Sequence, residues 1–432
     1  METGVFGVVE VVSKEGNEIV LQVRVKLDGS MLEMEESIQS AVNSVGTFAT
    51  GEALKKFDTT GAPIQIGSIR MTSKGTVRKC YETPYGTVDV ARHVYQTSSG
   101  GSTYCPLDER ARIVISSTPH FARQVSSKYS RLSAQEVMED LTMNHGRPVV
   151  RSFLQNVVDV VGSIAQATEE DWMYETPMQD ETVTTVSLSL DGTCILMRDD
   201  GYREAMTGTI SLYNQEGERL HTIYLGASPE HGKAKFLDRL EREIYHIKLQ
   251  YPQATYVGIA DGARINWDFL ERHTTYQILD FYHATEYLTD ASRAVYPIGQ
   301  RKDWLTNACH RLKHDKNAVC DLLEEMKKIP TDRVSDEVIS KLKAAITYFT
   351  NQGHRMKYDE YREMSMPIGS GVTEAACKTL VKQRLCKSGM KWKNQGVSMV
   401  LQLRALVCTK GRWNQFWDRI NQVGLIGLAE IH

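Results

Sequence analysis

Glu374 stands at the start of an expected helix that opens directly from the flexible turn Pro367-Ile-Gly-Ser-Gly. Projected at about 100° per residue, Cys377, Leu380, Val381 and Leu385 form an apolar stripe, Lys378 and Lys382 lie on one flank, and Glu374 falls on the border between them. From Glu374 to Lys393 the basic residues are Lys378, Lys382, Arg384, Lys387, Lys391 and Lys393, with no second acid, which is the composition of a surface that meets a polyanion. A carboxylate in the first turn of a helix also serves as a cap or offsets the macrodipole. With Ser370 as N-cap, however, the reciprocal partner is Thr373, which leaves Glu374 free to point elsewhere.

Two aspartates sit in matching contexts. Val186-Ser-Leu-Ser-Leu-Asp191-Gly and Tyr256-Val-Gly-Ile-Ala-Asp261-Gly are short β-prone runs ending in Asp-Gly, so each places an acid at the C-terminal end of an expected strand. In open α/β sheets that edge binds ligands. Asp191-Gly192 reads equally as a two-residue hairpin turn. Asp261 has no such reading, because the chain after it continues as a helix rather than a returning strand. Two strand-end Asp residues and a helix-borne Glu suit hard divalent cations, which want oxygen ligands. A pair of such ions about 4 Å apart stabilises the attacking and leaving oxygens of an in-line phosphoryl displacement.

The elements that must position these acids follow from periodicity. Val183 to Leu190, Thr193 to Arg198 and Thr207 to Tyr213 read as three strands joined by Gly turns, followed by a short run at Thr222 to Leu225 and a long amphipathic helix from Lys233 to Leu249. Thr255 to Ala260 and Gln277 to Phe281 are two further strands with a helix between them. Asp303 to about Tyr361 is rich in Lys, Leu, Glu and Ala at helical spacing, and reads as a helical insertion between Asp261 and Glu374. His310 and His314, one turn apart within it, read as a solvated basic face rather than a zinc grip.

The first part of the chain reads differently. Residues 1–115 alternate between short strands and one helical stretch from Met31 to Phe57, an α+β module. Cys80, His93 and Cys105 lack zinc-ligand spacing. Residues 116–170 are helical, with a Ser133/Glu136 capping box and an Asn-His-Gly-Arg-Pro break, the outline of a helix-turn-helix. Its second helix offers Arg147, Arg151, Ser152 and Gln155, types that reach base edges and phosphates, although any three-helix linker fits the same periodicity. Trp413 and Trp417 share a helical face and are expected to pack inward; Trp392, set among lysines, is a candidate to stack on an unpaired base, although packing is the expected role for it too.

Taken together, Ser-Leu-Asp191-Gly-Thr, Ala-Asp261-Gly-Ala, Asp280-Phe-Tyr-His283 and Pro-Ile-Gly-Ser-Gly-Val-Thr-Glu374-Ala-Ala-Cys-Lys resemble a bacterial insertion-sequence transposase of the DDE, RNase H-like superfamily, ISKra group. The likeness covers roughly the last three-fifths of the chain well and the first part loosely. It implies a multi-domain α/β protein with an RNase H-like mixed-sheet core at 180–300 and 363–432, interrupted by the helical insertion 301–362. It also implies that Asp191, Asp261 and Glu374 are the catalytic triad and hold two Mg²⁺ or Mn²⁺ ions, with Asp191 bridging both. Asp280 and His283 match a D-x-x-H signature, in which His283 is expected to donate to the scissile or displaced phosphate and Asp280 to fix its orientation.

The implied activity is cleavage of double-stranded DNA at the element's terminal repeats and joining of the freed ends to target DNA, by a homodimer or larger assembly. Lys378, Lys382, Arg384, Lys387, Lys391, Trp392 and Lys393 would line the DNA. A ribonuclease or junction resolvase on the same fold, or a non-catalytic DNA-binding descendant, are the alternatives. Composition agrees with a protein that works in the cytoplasm, joining the nucleoid when bound to DNA. The net charge is −3, the eight cysteines include no C-x-x-C pair, and no apolar run approaches membrane-spanning length. Basicity is local, not global.

Overall fold

The computed structural model describes residues 9–169, 171–230, 233–332 and 334–424. The chain divides into two compact units, Met1–Glu175 with Arg412–His432, and Thr176–Gly411. The expected modules 1–115 and 116–170 therefore fall in one unit. The C-terminal helix Arg412–Val423, expected in the catalytic core, belongs with them. Its Phe416, Trp417 and Ile420 are buried there, and Trp172 lies against Phe416.

In the first unit, β1 (Val9–Glu15) and β2 (Glu18–Val23) form a hairpin beside α1 (Met31–Lys55). β3 (Ile64–Ile66), β4 (Ile69–Glu82), β5 (Thr87–Thr97) and β6 (Gly100–Tyr104) form an antiparallel sheet in chain order. After α2 (Pro106–Arg110) come α3 (Pro119–Arg131), α4 (Ala134–His145) and α5 (Arg151–Ala167). The Ser133/Glu136 capping box forms, and Gly146 ends α4 in the left-handed region, where a side chain is disfavoured.

The second unit is built on a five-stranded mixed sheet, so the α/β class holds. Its strands are β7 (Thr185–Met197), β8 (Gly201–Tyr213), β9 (Arg219–Ala227), β10 (Thr255–Ala260) and β11 (Tyr276–Leu279), in the order β11-β10-β7-β8-β9. β7, β8 and β9 are an antiparallel meander; β10 runs parallel to both β7 and β11. The Asp191-Gly192 pair makes no turn. β7 runs straight through it, and the hairpin closes at Asp199-Asp200 before Gly201, whose φ of +68° is what a tight turn asks of glycine. Continuous pairing with β8, from Thr185–Tyr213 to Met197–Gly201, overrides the local turn signal.

The helices of this unit are α6 (Ala234–Gln250), α7 (Arg264–Leu270), α8 (Phe281–Ser292), α9 (Arg301–His314), α10 (Ala318–Lys328), α11 (Asp336–Gln352), α12 (Tyr358–Glu363), α13 (Gly371–Ala376), α14 (Gln383–Leu385) and α15 (Asn394–Cys408). Successive residues of a strand face opposite sides, so β8 shows which helix covers which face. Gly208 lies under Phe236 and Leu240 of α6, and Thr209 bonds Thr373 of α13 at 2.6 Å, so α6 and α13 cover opposite faces. The expected insertion is helical and shares the main core. Leu312, Met326, Phe349 and Tyr358 are buried in one cluster with Leu188 of β7 and Ile259 of β10.

Candidate catalytic site

Register brings the predicted acids together. Two steps past the Ile259–Ser189 pair, the parallel β7–β10 alignment sets Asp261 beside Asp191, and one step past Ala260–Leu279 sets Asp280 beside Asp261. Neighbouring strands lie about 4.8 Å apart, so Asp191 within β7 and the residues just past the ends of β10 and β11, Asp261 and Asp280, are set in one row at that edge of the sheet. Asp191 pairs across β8 with Thr207, which shares the face of Thr209 and therefore of α13. The row and the Glu374 helix are on the same side.

The acids differ in their surroundings. Asp191 is half-buried; its Oδ1 accepts from the Gly192 N–H at 2.7 Å, and its Oδ2 is 3.5 Å from the Cys377 thiol, which donates. Asp261 is half-buried in the turn after β10, with Oδ1 accepting from the Ala263 N–H at 3.1 Å. Glu374 is exposed in the first turn of α13, where the Ser370 hydroxyl donates to its Oε1 at 3.4 Å. None of these three carboxylates has a Lys, Arg or His ion-pair partner among the described residues. Their oxygens fit a hard cation by donor chemistry. Among the described residues, no three His, Cys, Asp or Glu side chains already converge on one point at ligating distance.

Asp280 is a different kind of acid. It is fully buried, caps α8 by accepting from the His283 N–H at 2.8 Å, and accepts from the Ser370 N–H with its other oxygen. Both oxygens are committed to backbone donors, one of them at the N-cap of the Glu374 helix. The ring of His283 pairs instead with Glu286, Nδ1 to Oε2 at 3.2 Å. The expectation that Asp280 orients the His283 imidazole is therefore corrected. The D-x-x-H spacing forms a helix cap, because an N-cap carboxylate reaches the backbone of the third residue on and not its side chain.

The helix that carries Glu374 is irregular. Between α13 and α14, Cys377–Lys382 widens into a π-helical segment. A widened turn leaves carbonyls free for donors from outside the helix. Here the buried Arg404 of α15 donates to the carbonyls of Thr379 and Leu380, the latter at 2.8 Å. Cys377, Leu380, Val381 and Leu385 are buried, as their stripe predicts. Burial, and then the Asp191 charge, push the Cys377 thiol up to about 11, against partial offset from the Thr193 hydroxyl.

The expected DNA-facing residues separate by burial. Lys378, Lys382, Lys391 and Lys393 are exposed and Lys387 is half-buried. Arg384 is only 1% exposed, with its guanidinium 5.2 Å from the Trp392 ring centre, so it packs in the core and is withdrawn from the set. Trp392 is half-buried, its indole N–H donates to the Leu385 carbonyl at 2.9 Å, and its backbone bonds Leu196 of β7 and Arg198 just after it, so it is not displayed for base stacking. Arg147 is buried as well. It pairs with Glu82 at 2.6 Å, donates to the Thr83 carbonyl at 2.9 Å and lies over Phe121. Arg151 is exposed at the start of α5, and Gln155 donates to Asp159 at 3.2 Å. His93 is held by Asp58 at 2.9 Å.

Two contacts escaped the sequence. The Cys377 thiol reaches Asp191 from 186 residues away, and the Tyr348 hydroxyl of α11 donates to the Asp261 carbonyl at 2.6 Å from 87 residues away. No periodicity signals either. Set against known protein families and curated proteins, the chain matches none of them.

Proposed function

We propose that this chain is a DNA transposase that binds insertion-sequence ends and catalyses metal-dependent phosphodiester hydrolysis and strand transfer. The observation that carries the reading is the row itself: Asp191 within β7 and Asp261 just past the end of the parallel β10, on the side of the helix bearing Glu374, all three without a cationic partner among the described residues. A first strand flanked by the second and the fourth is the order that the RNase H-like resemblance implies, and it supports the same reading.

In this mechanism Asp191, Asp261 and Glu374 would hold the divalent ions. Mg²⁺ or Mn²⁺ bound there supplies Lewis-acid activation of the attacking oxygen and stabilisation of the leaving one. Lys378, Lys382, Lys391 and Lys393, exposed on and after the same helix, neutralise backbone phosphates and set the register of the DNA. Asp280 does not touch DNA; it ties the start of the Glu374 helix to the end of β11. Two DNA ends must be held together, so a homodimer or larger assembly is the working form.

The test is a cleavage and joining assay on DNA carrying the element's own flanks, with Mg²⁺ or Mn²⁺, comparing the protein with Glu374→Gln. Nicked and joined products that disappear in the variant support the proposal. Metal-dependent cutting without joining moves the assignment to a nuclease, and binding without cutting in either protein moves it to a non-catalytic DNA-binding descendant.

A further inference from the structure

The helical segment 301–362 reaches back to the acid row through two tyrosine hydroxyls. Tyr348 of α11 donates to the carbonyl of Asp261 at 2.6 Å, and Tyr358 of α12 donates to the carbonyl of Leu279, the last residue of β11, at 3.0 Å. The two bonds are not equivalent. Leu279 precedes Asp280, whose carboxylate is already fixed by two backbone N–H groups. Among the described residues, the Asp261 side chain accepts only from the Ala263 N–H.

Tyr348 holds the Asp261 turn from more than one direction. Its ring stacks on Tyr287 of α8, with centres 3.8 Å apart and planes 15° from parallel. The ring edge lies 3.2 Å from the point a Cβ on residue 262 would occupy, and Gly262 has a φ of +109°, a conformation that L side chains rarely adopt. Glycine is therefore required twice, by its backbone angle and by the tyrosine against it. Burial first, then the neighbouring Tyr287 and the carboxylates of Asp261, Asp280 and Glu286, keep the Tyr348 hydroxyl protonated well above the ordinary tyrosine range.

We propose that Tyr348 is a positioning residue that fixes the peptide of Asp261, and with it the direction of the carboxylate, so that the helical segment acts as a brace for metal binding at the acid row. This rests on the reading of Asp191 and Asp261 as metal ligands. Groups that hold ligands in place characteristically carry about tenfold or more of metal affinity.

Tyr348→Phe keeps the stacked ring and removes only the hydroxyl. Terbium binding to the full chain, read by protein-sensitised luminescence and competed with Mg²⁺, is expected to weaken about tenfold in Tyr348→Phe. Tyr358→Phe, which loses a bond of the same kind, is expected to stay within about twofold of wild type. In DNA cleavage, Tyr348→Phe is expected to need more Mg²⁺ for half-maximal rate at unchanged KM for DNA. Gly262→Ala, which brings a Cβ against the same ring and also strains a backbone at φ +109°, is expected to shift the Mg²⁺ requirement in the same direction. Equal terbium affinity in Tyr348→Phe and wild type, or equal losses in the two tyrosine variants, overturns the brace. Wild-type protein that binds no terbium overturns the brace and the metal reading together. Binding that weakens in Tyr348→Phe, in a protein that never cuts DNA, leaves the brace standing and removes the transposase reading.

Discussion

Replacing Asp280 by Asn separates a structural carboxylate from a catalytic one. The side chain is fully buried and each oxygen accepts one backbone N–H, from His283 at 2.8 Å and from Ser370. Asparagine has almost the same shape but only one acceptor oxygen, so its amide group must face one of the two N–H donors. The variant loses one charge-assisted bond, about 1.5–3 kcal/mol, and leaves a buried donor unsatisfied, which costs about 1–3 kcal/mol more. Because these terms overlap, we expect a total near ~3 kcal/mol. The measurement is urea denaturation of the full chain, with hydrogen exchange at the Ser370 and His283 amides reporting where the loss is felt. If the backbone account is right, stability falls and one of those two amides exchanges roughly a hundredfold faster, since about 1.4 kcal/mol is tenfold in an opening equilibrium. Unchanged stability to within about 0.5 kcal/mol, with both amides still protected, would refute the reasoning and return Asp280 to the catalytic set.

Arg147→Met is expected to destabilise the first unit by about 2–3 kcal/mol, by leaving the Thr83 carbonyl without its donor and Glu82 with only the Thr87 hydroxyl among the described residues, and to leave the salt dependence of DNA binding unchanged. Arg151→Ala is expected to do the reverse, which denaturation and binding at two salt concentrations decide. The thiol of Cys377 is pushed up from 9.0 to about 11, so in that window the folded chain keeps a proton that the unfolded chain has lost. Stability therefore falls as pH rises from about 9 to 11, by on the order of 2 kcal/mol, and Cys377→Ala should flatten that part of the urea-midpoint profile.

Local features were legible wherever the signal was itself local. The Ser133/Glu136 box, the buried stripe from Cys377 to Leu385, the helical character of 301–362 and the strands before Asp191 and Asp261 follow from side-chain spacing and short-range caps. The same local code misjudged Asp191-Gly192, because thirteen residues of pairing with β8 outweigh a two-residue turn preference. It also misjudged Arg147 and Arg384. An arginine in a basic stretch or at the start of a helix reads as surface, but burial depends on what stands opposite, and Glu82 is 65 residues from Arg147 in the chain.

Sequence by itself determined that Asp261 follows a strand and Glu374 opens a helix, since a period of two or 3.6 is set by backbone geometry alone, but not that Asp191 lies in mid-strand. Only the tertiary structure decided that Asp191, Asp261 and Asp280 share a row, and that Asp280 is spent on backbone. It also decided that Arg404 bonds carbonyls of the widened helix beyond Glu374 and that Tyr348 bonds the Asp261 turn. Each of these depends on strand register or on a partner distant in the chain. The free energy that fixes them, desolvation offset by a bond to a remote group, exists only once the chain has closed around them.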